Sequence, residues 1–433
     1  MSTSNALQGK VAHGRTNLET GQSGTIRIWH GGMPRVVTHL LVLFLITFTL
    51  ILYGSLYPWH FHTQVLESSP IWILMYSWPK RLDGLTVKDI VINLALYVPL
   101  GFTGYLTFRN QRRRWFTFLI PLLVALLLSS CVEIIQLFDE VRDSSALDLL
   151  CNLLGTSVGL SIGYWLRTYI ESPGVPVAVL RYPDVILLLI SWFLWQIFPL
   201  FPIWHISALV DKLQVLIGFQ LSIADLLTYF AAWLLLACLL ERVLPQQIIS
   251  LLLFLLLLLM PGKLLLAERS MVWPELIGAP LALLVWSAGL ARLRTRIAWM
   301  VGITAVTLIV RELWPFRWQI DAVQFVWLPF IDTLAVDTVG AVVILLEKVF
   351  LYAAAVWVLW QIRIPPLIAT GLCASALAVL EVLQTHLLDR VPEITDPVLA
   401  ILAGIVLYVF HNADHFLARS PTRCQTRLLI RKP

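Results

Sequence analysis

Long apolar segments separated by short polar connections occupy most of the chain after residue 35. Each is continuously apolar over about 20 residues, the length that a helix needs to cross a bilayer, rather than alternating like a membrane β-strand. The pattern predicts twelve spanning helices, within 36–66, 89–108, 115–137, 148–166, 182–200, 220–240, 246–262, 274–291, 297–313, 341–362, 364–385 and 397–412. We therefore expect an all-α, polytopic transmembrane helical bundle.

Four polar positions recur with the same spacing near the ends of predicted helices. The steps are 3, 6 and 6 residues in two copies: Glu133, Gln136, Arg142 and Asp148, and then Glu381, Gln384, Arg390 and Asp396. A partial middle copy consists of Lys263, Arg269 and Glu275, with Met260 at the position of the glutamate. Because internal repeats are common in membrane proteins, we predict three tandem four-helix units. They are unit 1 at 36–172, unit 2 at 181–294 and unit 3 at 296–413, between an N-terminal tail at 1–35 and a basic tail at 414–433.

Composition narrows the class of protein. Hydrophobic residues make up 59% of the chain and charged residues 13%, against roughly 25% charged in soluble domains, which excludes a soluble or a disordered protein. The 5 cysteines lack disulfide or metal-ligand spacing, so we predict no metal site and no cofactor. The net charge of +5 is not gathered in a soluble basic domain, so nucleic acid is not an expected partner.

The distribution of basic residues predicts the orientation. With the N-terminus inside, 20 of the 31 Lys and Arg residues lie on the inner side. Cytoplasmic loops of membrane proteins are enriched in Lys and Arg, so we expect both termini in the cytoplasm. All the motif loops then face outward.

Unit 1 resembles the VanZ-like family, which is named for an accessory membrane protein of teicoplanin resistance. The resemblance rests on DIVINLALYVPLGF, with Asp89, Asn93, Pro99, Gly101 and Phe102, and on Glu133, Gln136, Arg142, Asp148, Asn152, Gly155 and Gly159. Units 2 and 3 are degenerate by comparison. The resemblance implies a protein of the bacterial cytoplasmic (inner) membrane, associated with the cell envelope or with the response to glycopeptides, and it implies no particular reaction.

The outer ends of three helices of unit 1 are predicted to meet in one polar cluster. Its members are Asp89, Asn93, Glu133, Gln136, Arg142, Asp148 and Asn152, and Glu381, Gln384, Arg390 and Asp396 are the counterparts in unit 3. A guanidinium suits bidentate recognition of phosphate. We therefore expect a site for an anionic envelope lipid or a polyprenyl-linked precursor, with Arg142 and Arg390 on the phosphate and Glu133 as a proton acceptor.

Three alternatives stay open at this point. In a purely structural role, the aspartates cap helices and the arginine ties the hairpin together through ion pairs. An enzyme would use Glu133 and Asp148 as an acid–base pair. A transporter fits the repeated units, although the middles of the spans are nearly all apolar. Membrane lipids are the expected partners, and the sequence indicates no particular protein partner.

Overall fold

The structure is a computed structural model that describes residues 35–57, 59–62, 68–79, 84–109, 111, 113–139, 144–170, 182–199, 202–203, 205–266, 269–331, 333 and 338–412. Both predicted tails lie outside the described residues, apart from Arg35, and so does Arg142.

The described residues fold into helices joined by short connections. The α-helices are α1 Arg35–Leu56, α2 Pro70–Tyr76, α3 Gly84–Phe108, α4 Arg114–Gln136, α5 Ala146–Ile170, α6 Pro183–Ile197, α7 Ile206–Ile217, α8 Ile223–Val243, α9 Gln246–Leu259, α10 Trp273–Ala288, α11 Arg296–Leu313, α12 Thr338–Gln361, α13 Pro366–Gln384 and α14 Thr395–Asn412. Short 3₁₀ helices follow α9 and α10, at Met260–Leu265 and Leu290–Arg292. The all-α prediction is confirmed within these ranges, where β-structure is limited to isolated bridges.

Each of the twelve predicted apolar segments coincides with a helix, whereas the short helices α2 and α7 were not predicted. Among the described residues, eight helices are long and apolar enough to cross a membrane: α1, α3, α4, α5, α8, α9 with its 3₁₀ extension, α12 and α13. The helices α6, α10 and α14 are apolar but shorter, and α11 carries the charged residues Arg311 and Glu312 in its last turn. The chain is therefore a multi-pass membrane protein, and the count of twelve crossings stays a prediction.

Glycines allow α3 and α5 of unit 1 to pack with their backbones in direct contact. A Cβ added to Gly155 would lie 2.1 Å from the Leu94 carbonyl oxygen. One added to Gly101 would lie 2.0 Å from the Thr156 carbonyl oxygen, and Gly159 is equally confined. Small residues permit this close approach of membrane helices, so these glycines set the distance between α3 and α5.

The buried apolar residues within the described part of the chain form two clusters. One lies within unit 1 and includes Phe44, Tyr97 and Leu128. The other runs continuously through units 2 and 3, from Val185 to Leu407. Unit 1 therefore has its own core, whereas units 2 and 3 share one.

Contacts between the units occur at both ends of the bundle. At the end that carries the motif loops, the hydroxyls of Tyr53 and Tyr57 donate to the carbonyl oxygens of Pro329 and Ile331, at 2.5 and 3.1 Å. At the other end, the ring of His39 packs edge-on against Tyr408. Unit 1 is thus attached to unit 3 through α1.

Candidate functional site

In each unit, a polar side chain of the third helix or the turn after it reaches the last turn of the first helix. Gln136 donates to the Ser55 carbonyl oxygen at 2.7 Å, and Gln384 donates to Glu312 Oε2 at 3.2 Å. In unit 2 the equivalent residue is Lys263, whose ammonium group donates to Gln196 Oε1. The acceptors Ser55, Gln196 and Glu312 lie at corresponding positions of α1, α6 and α11. The same tie between helices thus occurs three times.

The motif arginines of units 2 and 3 bind the carbonyl oxygens at the end of a first helix. In unit 3, Arg390 donates to the carbonyl oxygens of Arg311 at 2.7 Å and Trp314 at 2.7 Å. In unit 2, Arg269 donates to those of Phe198, at 2.7 Å, and Trp195. Terminal carbonyls of a helix have no partner within the helix and carry the negative end of its dipole, which a guanidinium neutralises. This geometry favours a capping role for both arginines.

The motif glutamates accept a backbone hydrogen bond from the start of the fourth helix. Glu133 Oε2 accepts from the Ser145 amide at 2.8 Å, and Glu381 Oε2 accepts from the Glu393 amide at 3.0 Å. Both glutamates are only 3% exposed. The donor follows the glutamate by 12 residues in each unit, so the two carboxylates close equivalent loops.

The acid at the start of the fourth helix meets the second helix. Asp148 forms a hydrogen bond with Asn93 and lies within electrostatic reach of Asp89. In unit 3 the corresponding Asp396 is buried and forms an ion pair with Lys348 at 2.6 Å. The predicted convergence of Asp89, Asn93 and Asp148 is therefore present in the structure, and its unit 3 counterpart is a buried acid–lysine pair.

In unit 2, the acid at the start of the fourth helix pairs with a lysine from the 3₁₀ helix that follows the third helix. Glu275, at the start of α10, is buried and forms an ion pair with Lys263. Tyr229 of α8 lies beside that carboxylate, as Asn93 lies beside Asp148. The fourth-helix acid thus faces the second helix in all three units.

Residues 36–167 match the VanZ/LLP1 family, and no curated protein or solved structure matches the chain. The match spans α1 to α5, the helices that carry the first copy of the motif. Residues 36–167 form a VanZ-like domain. The resemblance predicted for unit 1 is thereby confirmed, whereas the copies predicted in units 2 and 3 lie beyond the matched range.

Within the VanZ-like domain, Asn152 belongs to the interior rather than to the polar end. Its Nδ2 donates to Ser129 Oγ at 2.9 Å, and both side chains are buried between α4 and α5. Glu133 and Asp148 are within electrostatic reach of each other, as the acid–base alternative requires. Among the described residues, no group of three His, Cys, Asp or Glu side chains is arranged to hold a metal ion.

Sequence reasoning missed a buried polar network in unit 3. Tyr352 donates to Glu312 Oε1 at 3.3 Å, and Arg311 forms an ion pair with Glu347 at 3.1 Å. Lys348 and Asp396 complete it. The signal was present, since REL at the end of α11 and EK within α12 place charges in apolar helices, where charges need partners.

Proposed function

We propose that the VanZ-like domain recognises the polar headgroup of an envelope lipid, or of a polyprenyl-linked envelope precursor, at the outer surface of a bacterial cytoplasmic membrane. Through this binding the protein would influence the response to glycopeptides, as the family resemblance implies. The proposal also takes all twelve helices that coincide with predicted apolar segments as membrane spans, with both termini in the cytoplasm.

The observation that carries the proposal is the contrast between the polar end of unit 1 and that of unit 3. Asp89 is exposed, and Asn93 and Asp148 are half-buried. The counterparts Lys348, Tyr352 and Asp396 are buried or nearly so and are bonded to one another. A ligand can reach the first group and not the second. In unit 2, Asp225 is exposed, but the fourth-helix acid Glu275 is buried in its ion pair with Lys263. We therefore assign the binding role to unit 1 and a supporting role to units 2 and 3.

The chemistry of the accessible groups indicates what they bind. Two carboxylates and an amide accept hydrogen bonds from hydroxyl or amino groups, which lipid-linked sugars carry in number. A phosphate on the same ligand needs a cation, and we assign that contact to Arg142. Arg390 has no such role in this proposal, because its guanidinium is bonded to the end of α11.

Recurrence of the ties supports treating units 2 and 3 as diverged copies of the VanZ-like domain. The third-helix side chain reaches the same position of the first helix in each copy. An isolated bridge also joins the loop after the first helix to the sixth residue after the glutamate position: Phe61 with Asp139, Pro202 with Leu266 and Trp318 with Leu387. Chance contacts would not keep this register.

Native mass spectrometry of the purified protein with a polyprenyl-phosphate-linked sugar tests the proposal. We expect binding that weakens at least tenfold in Asp89→Asn and in Asp148→Asn. Asp225→Asn is the matched control, because Asp225 is exposed at the corresponding position of unit 2. Equal binding by wild type, Asp89→Asn and Asp148→Asn would refute the site.

The phosphate contact and the cellular role need separate measurements. Arg142→Ala should weaken binding of the phosphate-linked sugar and leave binding of the matching polyprenyl alcohol unchanged. Deleting the protein from its host should change teicoplanin susceptibility, and Asp148→Asn should fail to restore it. Turnover of the bound lipid would indicate an enzyme, and uptake into proteoliposomes would indicate a transporter.

A further inference from the structure

One face of the second helix is buried in units 2 and 3 but open in unit 1. With Asn93 aligned to Tyr229 and Tyr352, this face consists of Ile92, Ala95, Leu96 and Pro99 in α3, of Thr228, Ala231, Ala232 and Leu235 in α8, and of Leu351, Ala354, Ala355 and Val358 in α12. The eight positions in α8 and α12 are all at most 7% exposed. In α3, Leu96 is 36% exposed and Pro99 is also exposed. A surface buried twice in this protein is thus open in unit 1.

The first helix of the neighbouring unit packs on the second helix in units 2 and 3, at residues that align with Val91 and lie next to this face. From unit 2, α6 packs on α12, where Trp195 stacks on Phe350 at 6.0 Å between ring centroids. From unit 3, α11 packs on α8, where Thr307 Oγ1 donates to the Leu227 carbonyl oxygen at 3.5 Å. Each unit therefore gives its first helix to the second helix of the other, which is the exchange expected of a twofold pair.

The matching part of α1 is also uncovered. Counted from the tie residues Ser55, Gln196 and Glu312, the counterparts of Thr307 and Trp195 are Leu50 and Gly54. Leu50 is 40% exposed, whereas Thr307 is 1% exposed. A Cβ added to Gly54 would meet nothing within 4 Å. We call Leu50, Gly54, Ile92, Ala95, Leu96 and Pro99 the pairing face.

We propose that a second copy of this chain occupies the pairing face, with α1 of each copy packed on α3 of the other. The internal pair of units 2 and 3 supplies the geometry for this exchange. Membrane helices associate by close packing at small residues rather than by expulsion of water, and Gly54 and Ala95 are small. The same surface serves both copies, so the contact closes as a dimer and does not propagate.

Cross-linking between differently tagged copies tests the contact directly. One copy carries Leu50→Cys, and the other carries Val91→Cys, because Val91 corresponds to Leu227, which Thr307 contacts. Both carry Cys131→Ser and Cys424→Ser, which removes the exposed thiol of Cys131 and the thiol outside the described residues. We expect a disulfide-linked pair of both tags that requires both cysteines. Absence of this product in native membranes would overturn the proposal.

Counting subunits by single-molecule photobleaching in dilute liposomes gives a second measurement. Wild type should be dimeric, and Ala95→Trp should lower the dimer fraction at least tenfold. Leu127→Trp is the control, since Leu127 is 65% exposed on α4, a helix that contributes no residue to the pairing face. A monomeric wild type, or equal dimer fractions for Ala95→Trp and wild type, would refute the contact. If Ala95→Trp does not fold, the cross-linking result decides.

Discussion

The backbone contact between α3 and α5 yields a prediction that can be worked out from the structure. In Gly155→Ala, the new methyl group would lie 2.1 Å from the Leu94 carbonyl oxygen. Ordinary contact begins at 3.4 Å, so the two helices would have to move apart by about 1.3 Å, as in an overpacked core. The obstacle is backbone, which cannot rotate aside as a side chain can.

The expected change in the free energy of unfolding is the difference between two opposing effects. Overpacking costs about 1–3 kcal/mol, and we place this site at the upper end because Gly101 and Gly159 lie in the same seam and would lose their contacts as well. Alanine is favoured over glycine within a helix by roughly 0.5–1 kcal/mol. We therefore expect Gly155→Ala to lower the free energy of unfolding by about 2 kcal/mol.

Titration of the purified protein with SDS in mixed micelles, followed by tryptophan fluorescence, measures this free energy. Gly371→Ala is the matched control, because Gly371 lies within α13 and an added Cβ there meets nothing within 4 Å. The control should be unchanged or stabilised by up to about 1 kcal/mol. If both variants are equally stable, the close contact between α3 and α5 is wrong.

Three further predictions concern the polar ties. Arg390→Ala should lower the free energy of unfolding by about 2 kcal/mol or more, because charged hydrogen bonds are lost. Arg317→Ala should change it by less than about 1 kcal/mol, because the ion pair of Arg317 with Asp389 is exposed. Equal effects of the two substitutions in SDS titrations would contradict the capping role of Arg390. Glu381→Gln should keep most of the free energy of unfolding, since the new side-chain amide oxygen still accepts from the backbone amide of Glu393. Glu381→Ala should lower the free energy of unfolding by about 1–3 kcal/mol in the same assay. An alanine variant as stable as wild type would exclude the loop-closing hydrogen bond. Lys348→Met should lower the free energy of unfolding by about 3–5 kcal/mol, because it leaves the buried Asp396 carboxylate unpaired. Adding Asp396→Leu should recover much of that loss. No recovery would mean that the two residues stabilise the protein through other neighbours.

Much of this protein was predictable from the sequence because the relevant forces act locally. A run of apolar residues long enough to cross a bilayer must form a helix, since no water is present to satisfy its backbone groups. The positions of the twelve helices follow from that rule. The recurrent spacing of Glu133, Gln136 and Asp148 likewise identified the polar end of the VanZ-like domain, where Asp148 does meet Asn93.

The roles of the same residues depended on partners far away along the chain. Arg390 binds the Trp314 carbonyl oxygen 76 residues earlier, and Lys348 pairs with Asp396 48 residues later. Spacing shows that a guanidinium lies near a helix end, but not whether it meets a ligand or a terminal carbonyl. That choice depends on how the first helix packs against the hairpin.

The burial of the second helix shows most clearly what the sequence determines and what only the tertiary structure decides. The sequences of α3, α8 and α12 are each predominantly apolar, and each alone predicts a spanning helix. In the tertiary structure α8 and α12 are enclosed by helices of both units 2 and 3, whereas one face of α3 stays open. Hydrophobicity determines that a helix enters the membrane; since lipid and protein are both apolar, only the packing decides which of them it faces there.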